Sequence, residues 1–555
     1  MRAPSRQAWL VATVAAVIAA APASAQQISV DPLTDGLGQH ETAVEPDSFS
    51  FGNTIVAAFQ IGRTRTAGAS GIAWATSHDG GSTWSARVLP SLTIHGSPPG
   101  TYTRATDPAV AYDTVHGVWL ISILALQDGP SGTTEDLLTA LVTSRSPDGV
   151  SWSVPAVTSP VQSHFAHDKN WIVCDNGAAS AFRGRCYVVW TAVSGTLTVL
   201  ASSSSTDGGA TWSPATVITS IAGSGWQPVV RPDGTLVIVF VGSRAIKATR
   251  STDGGRSFSD PVAVASLQDS PTPGWRAPAL PSAELDAEGR VTVAWPDCRF
   301  RSGCGGRITP NDVVFASSSD GVHWSRVRRV PTGAGLDGLP HFVVGLGVDS
   351  STSGTRTRLG VAFNVLTPGG CTNNCTVAPF FVSSTDDGRG WTSPEPLAPP
   401  QEATAFPEAG AERFLGDYIS TSFVAGGTAV PVFASATRPY DGRYHQGVFA
   451  TPIPPRAALP TLRVGNVVVS PRRPTTEGRV DTSVAVAGLT AGLRVTCKAA
   501  GTRLQLAATR VASSRVTCRW HVRHARSGQR LTGTMALMTP EADTTRPFAF
   551  RARAR

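Results

Sequence analysis

Lysine is almost missing from this chain, with three in 555 residues, and methionine is as rare, with three. Charged residues of all kinds reach only 15%. A shortage of straight-chain helix formers excludes a helical bundle or coiled coil. After the first 25 residues no apolar run is long enough to span a membrane. Val, Thr and Ser are used heavily instead, with 55 Gly, 41 Pro, 14 Trp and 20 Phe. That composition predicts an all-β chain, rich in turns and well supplied with core residues. The length allows two or three domains, or one repeat fold with an appendage.

The start of the chain reads as an address. Arg2 and Arg6 precede the apolar stretch Trp9 to Ala21, and Ala23-Ser24-Ala25 follows. A basic start, a short apolar segment and a small-residue cleavage site predict a secretory signal peptide over residues 1–25. The mature protein is expected to be secreted, extracellular and without a transmembrane segment. The cysteines fit that compartment. They form sequence-close pairs, Cys174/Cys186, Cys298/Cys304, Cys371/Cys375 and Cys497/Cys518. Local pairing predicts four disulfides, and no C-x-x-C knuckle offers a zinc site. His164 and His167 flank Asp168, but a His pair on an irregular loop is more often solvated. No metal and no cofactor are expected.

One short pattern recurs. It reads Ser77-His-Asp-Gly-Gly-Ser-Thr-Trp84, then returns as Ser146–Trp152, Ser205–Trp212, Ser251–Phe258, Ser318–Trp324 and Ser384–Trp391. Its aspartates stand at 79, 148, 207, 253, 320 and 386. Repeats at this spacing, built from short alternating strands, predict the blades of a propeller. The motif is a hairpin turn: Asp accepts backbone N–H groups of its own loop, Gly supplies a positive φ, and the aromatic ring packs beneath.

On these residues the chain resembles the Asp-box (BNR-repeat) proteins of the sialidase superfamily, over about residues 28–455. The resemblance implies a sialidase-like β-propeller with the boxes at the periphery, away from any active site. Strand-like segments also open with Glu45-Pro46, Asp107-Pro108, Asp168-Lys-Asn-Trp171, Gln227-Pro228, Ala277-Pro278, His341-Phe342 and Gly416-Asp417-Tyr418. Seven openings for six boxes favour seven blades, with six the alternative. Gln27–Val30 is expected to complete the seventh blade and close the ring, removing exposed edges. The propeller is placed at residues 26–456.

Residues 457–555 differ. They contain no box, read as short strands around Trp520, and predict a small immunoglobulin-like β-sandwich. Here 17 basic residues face 4 acidic ones, so the tail is strongly positive and the rest of the chain net negative. A basic tail suits an extracellular glycan or anionic cell-wall polymer as partner. No nucleic-acid recognition motif occurs, and a monomer is expected.

In a propeller the first strand of each blade begins at the top, beside the axis, so the strand-opening residues converge. This predicts a ring of Glu45, Asp107, Asp168 and Asp417, with Gln227 and His341. Arg104, Arg276 and Arg413 lie just before openings, while Arg63, Arg299 and Arg438 rise on second strands, Arg299 beside Asp297. Acids and arginines in a concave funnel suit polar, anionic sugars. Resemblance to sialidases implies three carboxylate-binding arginines, a tyrosine nucleophile and a first-blade acid/base aspartate. Val44 stands where the first arginine belongs, and the Arg63–Gly71 loop holds no acid. Tyr418, with Glu412 nearby, is the one tyrosine placed as nucleophile. The segments Asp168–Trp171, Trp295–Arg299 and Gly416–Tyr418 resemble another branch of that superfamily, usually labelled sialidase-like. The chain is thus expected to be a secreted carbohydrate-active protein, possible as a glycoside hydrolase but short of the ordinary sialidase residues. A non-catalytic glycan- or protein-binding propeller is the alternative.

Overall fold

Nearly every segment of alternating Val, Ile, Ala, Thr and Ser becomes a strand. The computed structural model describes residues 25–128, 137–161, 166–305, 309–333, 335–368, 374–456, 463–487, 494–512, 515–538 and 543–553. The predicted signal peptide, apart from Ala25, and His164 lie outside these residues. Among the described residues no helix is long and apolar enough to cross a membrane.

Up to residue 456 the chain forms seven antiparallel groups of four strands, one of them with a short extra strand. Their first strands are Ala43–Phe51, Arg104–Asp113, Ala166–Cys174, Ser224–Val230, Ser282–Leu285, His341–Val348 and Ser420–Val424. The first two groups touch through a single bridge, Ala69 to Ala105. Each first strand packs against the first strand of the next group, and the last packs against Ala43–Phe51. The sheets therefore close into a ring, a β-propeller. The sixth and seventh sheets approach closely enough to need glycine: a Cβ on Gly347 would stand 2.5 Å from the Thr421 carbonyl oxygen.

The seventh sheet takes three strands from the C-terminal side, Ser420–Val424, Thr428–Tyr440 and Arg443–Ala450. Its fourth is Gln26–Gln27, with Gln26 opposite Ala450. The Ile28 amide continues the pairing by donating to the Val448 carbonyl at 2.9 Å. Between sheets lie apolar clusters, such as Phe59, Ile61, Val430 and Val448 where the first sheet meets the seventh.

All six repeated turns share one bond. The serine hydroxyl donates to the aspartate two residues on, at 2.8–3.0 Å. In the first, Asp79 accepts the Ser82 and Thr83 amides, and the Trp84 indole donates to the Gly81 carbonyl. Bonds from the Thr83 hydroxyl and amide hold the Asp79 carboxyl at about 2. The Ser151 amide and His323 lower Asp148 and Asp320 in the same direction. A lowered folded-state pKa adds stability above the unfolded value, near 3.9, and that stability is lost as pH falls through the folded value. Thermal melting is accordingly expected to weaken progressively from about pH 4 down to about pH 2, and less steeply in Asp79→Asn.

Beyond residue 462 a second set of strands forms two sheets. One orders Arg463–Val464, Arg479–Ala487, Arg515–Val522 and Leu504–Ala512, with Val468–Ser470 also on Arg479–Ala487. The other comprises Arg494–Ala500, Arg530–Met538 and Asp543–Arg551. Trp520, Val516, Met535 and Phe548 fill the space between them. Cys497 and Cys518 bond across the two sheets. Cys174–Cys186 and Cys298–Cys304 are also disulfides. Cys375 is disulfide-bonded, while Cys371 lies outside the described residues. These bonds are compatible with an extracellular protein.

Candidate active site

Five of the seven first strands carry a register shift near their start: at Val44/Asp47, Thr106/Ala109, Asp168/Trp171, Ser224/Gln227 and Phe342/Gly345. The residue just after the start of each shift has a positive φ: Glu45 at 54°, Asp107 at 49°, Lys169 at 51°, Gly225 at 68° and Val343 at 50°. A bulge of this kind turns one side chain out of the alternation and re-aims it. Here it turns three charged side chains, from successive blades, into one cluster. Left-handed backbone at a residue other than glycine costs of order 1–3 kcal/mol and gathers where function demands it.

The cluster is dense. Glu45, Asp107 and Asp417 are buried, and Asp168 is half-buried. Asp417 is the hub: Arg276 grips it with two bonds, Nε to Oδ1 at 3.2 Å and Nη2 to Oδ2 at 2.7 Å. Lys169 Nζ donates to the same Oδ2. The Asp417 amide donates to Glu45 Oε1 at 3.0 Å, and Gln60 Nε2 donates to Glu45 Oε2. Asp107 accepts the Lys169 amide at 3.0 Å and the Thr106 hydroxyl at 3.0 Å. Gly416, at φ 109°, has to be glycine, because a Cβ would stand 3.1 Å from the Glu45 Cγ and amide nitrogen. The Phe414 ring lies between two guanidinium groups, 5.1 Å from Arg63 and 4.9 Å from Arg276.

These surroundings split the carboxyls. Burial, reinforced by Asp417, pushes Glu45 up to about 7. Burial also raises Asp168, against the pull of Lys169. Burial acts on Asp417 as well, but Lys169 and Arg276 outweigh it and hold that carboxyl below its usual value. Lys169 loses by burial and gains more from Asp417 and Asp107, so it stays protonated.

Several expected residues have other duties. Arg63, buried, donates to the Thr64 and Gly68 carbonyls, and Arg104 to the Ala67 carbonyl and Asp128. Together they tie down the loop after the second strand. Arg299 is spent on Asp297, at 2.9 and 2.7 Å, and on the Ser266 carbonyl. Arg413 holds the Phe406 carbonyl, and Arg438 is an exposed partner of Glu402. Of the six arginines proposed for substrate, Arg276 alone reaches the acids with a bond and remains partly open, its side chain 36% exposed.

Tyr418 is not placed as a nucleophile. Its ring stands edge-on to Trp171 at 5.1 Å and its hydroxyl points to the Pro108 carbonyl at 3.5 Å. Burial, with Glu45, Asp107 and other acids around it, raises its pKa well above 10, so the phenolate is suppressed. Glu412 is exposed and offers it no base. His341 is fully buried on the Asn311 carbonyl, and Gln227 lines the axis.

A cavity of about 460 Å³ adjoins the cluster, lined among others by Asp47, Trp171, Gln227, Glu284, Asp417 and Tyr418. Burial raises Asp47 to about 7 and, with Asp47 adding, Glu284 to about 8. Lys169, Gln60, Asp47 and Glu284 escaped sequence reasoning. For Lys169 the signal was there, one residue from Asp168 in the Asp-Lys-x-Trp segment.

No family profile matches the chain, and no curated protein sequence does. Solved structures are similar at low identity. The Hadza microbial sialidase Hz136 aligns at 15% identity and TM-score 0.41, over 58% of this chain and 63% of its own length, less than two thirds of that protein. Trypanosoma rangeli sialidase in complex with sialic acid aligns at 12% and TM-score 0.40, over 96% and 90%. The GH93 alpha-L-arabinofuranosidase of Fusarium graminearum, in complex with arabinobiose, aligns at 13% and TM-score 0.37, over 63% and 93%. The chain is similar to these proteins in outline.

Proposed function

We propose that the propeller is a secreted glycoside-processing protein that acts on extracellular glycans at the axial cluster. The carrying observation is the convergence of Glu45, Asp107 and Lys169, each re-aimed by a bulge in a left-handed conformation, on the Asp417–Arg276 pair. Two carboxyls at one site can divide the acid and base roles of glycoside cleavage between them. Asp168, half-buried and raised, is the proton donor to the leaving oxygen. Glu45, at about 7, is the base that takes a proton from a water, whose oxygen bonds to the anomeric carbon as the glycosidic bond breaks. Arg276 and Lys169 fix Asp417 and present positive charge to sugar hydroxyls or an acidic substituent.

An ordinary sialoside is not the substrate. Val44 is fully buried where a first carboxylate-binding arginine would stand, and the loop tied down by Arg63 and Arg104 brings no acid. A fluorogenic sialoside is therefore expected to remain uncleaved.

A panel of neutral and acidic polysaccharides and chromogenic glycosides tests the reading. One of them is expected to be cleaved, and Asp168→Asn to lose ~10²–10⁴ in rate without a lowered melting temperature. Binding without cleavage by the wild type would leave a glycan-binding propeller. Neither binding nor cleavage across the panel would sink the proposal.

A further inference from the structure

We propose that the outward face of the larger C-terminal sheet is a binding site for a linear acidic polysaccharide, independent of the axial site. Strand register defines this face. In Arg515–Val522 the side chains of Val516, Cys518, Trp520 and Val522 turn to the core, so Arg515, Thr517, Arg519 and His521 turn outward. Across the ladder, Arg479 stands opposite His521 and Asp481 opposite Arg519. On the other side Arg510 stands opposite Thr517 and Gln505 opposite His521.

The result is a flat face with Arg479, Arg510, Arg515 and Arg519 exposed, among small hydroxyl and amide groups. Asp481 is its single acid, and it binds Arg519 through two bonds of 2.9 Å. Among the described residues Arg479, Arg510 and Arg515 have no acidic partner within ion-pair distance. The face runs into an open groove of about 490 Å³ bordered by Arg479, His521, Arg523 and His524, with Glu477 and Gly478. The positive field thus extends beyond the sheet.

Three features choose the ligand. Arg515 and Arg519 are four residues apart on one strand, about 13 Å, too far for one small anion to bridge. A chain with repeated acidic groups spans that spacing and meets a guanidinium at intervals. Hydroxyl and amide groups between the arginines suit sugar hydroxyls. Nucleic acid is the poorer match, because single strands are held by base stacking on aromatic rings. This face presents no Trp, Tyr or Phe ring: Trp520 is 1% exposed and its indole donates inward to Thr482 at 2.8 Å.

The test uses the full chain and affinity for heparin and polygalacturonate, with uncharged dextran and duplex DNA alongside. The triple variant Arg479→Gln, Arg510→Gln, Arg515→Gln is expected to bind both acidic polysaccharides about tenfold more weakly, with a shallower salt dependence. A control triple, Lys498→Gln, Arg530→Gln, Arg551→Gln, removes the same charge from exposed positions on the other sheet and is expected to stay within about twofold. Asp481→Asn removes the only acid of the face and is expected to tighten binding. All of these side chains are at the surface, so unchanged melting curves confirm that folding is intact. Equal losses in the two triples would reduce the effect to net charge and overturn the site. So would retention of dextran, weaker binding by Asp481→Asn, or tighter binding of DNA than of either polysaccharide.

Discussion

Asp417→Ala is expected to destabilise the propeller by about 3–5 kcal/mol, the largest effect of any single substitution at the cluster. The reason is the charge it would leave behind. Asp417 is 2% exposed and neutralises two cations, Arg276 through a forked pair and Lys169 through its ammonium. Removing one partner of a buried ion pair costs more than the pair itself contributes, because Lys169, its side chain 14% exposed, stays charged in a poor solvent. Lys169→Met should therefore recover part of the loss when added to Asp417→Ala, although it removes a further bond. Chemical denaturation of the two single variants and the double variant measures this directly. A double variant no more stable than Asp417→Ala would show that Lys169 reaches water without its partner.

Glu45→Gln is expected to lower turnover of whichever glycan is cleaved by ~10²–10⁴. With its pKa near 7, Glu45 as base makes wild-type activity rise with pH through about 7, and the variant should lose that limb. Stability must move the other way. A carboxyl raised in the folded state contributes fully below its unfolded value, near 4.3, and that contribution is lost as pH rises through about 7. Glu45→Gln is thus expected to match the wild type in melting temperature near pH 4 and to exceed it above about pH 8. Low activity together with that gain separates a chemical role from a merely structural one. Full activity in the variant would place the base elsewhere.

The contrast between what the sequence disclosed and what it hid follows from range. The Ser-x-Asp-Gly turns were legible because every bond in them joins residues within four positions, as with Ser77, Asp79 and Thr83. The strand openings were legible as a repeat for the same reason. The cluster was legible only in outline. Glu45, Asp107 and Asp417 could be placed together by topology, yet Glu45 and Asp107 are the left-handed residues of their bulges, and in the third strand that residue is the one after Asp168. Lys169, not Asp168, thereby takes the position of Glu45 and Asp107. The arginines were misjudged for a related reason: a guanidinium near a strand end serves a carbonyl or a neighbouring acid as readily as a ligand. Arg63 and Arg299 do so through partners within five residues, which composition alone does not rank.

The pairing of Gln26 with Ala450 also orders events in time. These strands are separated by more than 400 residues, so the loop they close is among the longest the chain can make, and such contacts form late. Until residue 450 has been synthesised, the seventh sheet lacks the strand Arg443–Ala450, Gln26–Gln27 has nothing to pair with, and the first sheet lacks a neighbour on one side. A chain interrupted before then would carry two open β edges, which invite association between molecules. The most vulnerable interval in the life of this protein is consequently its birth. Its aggregation should depend on how quickly the last sheet follows the others.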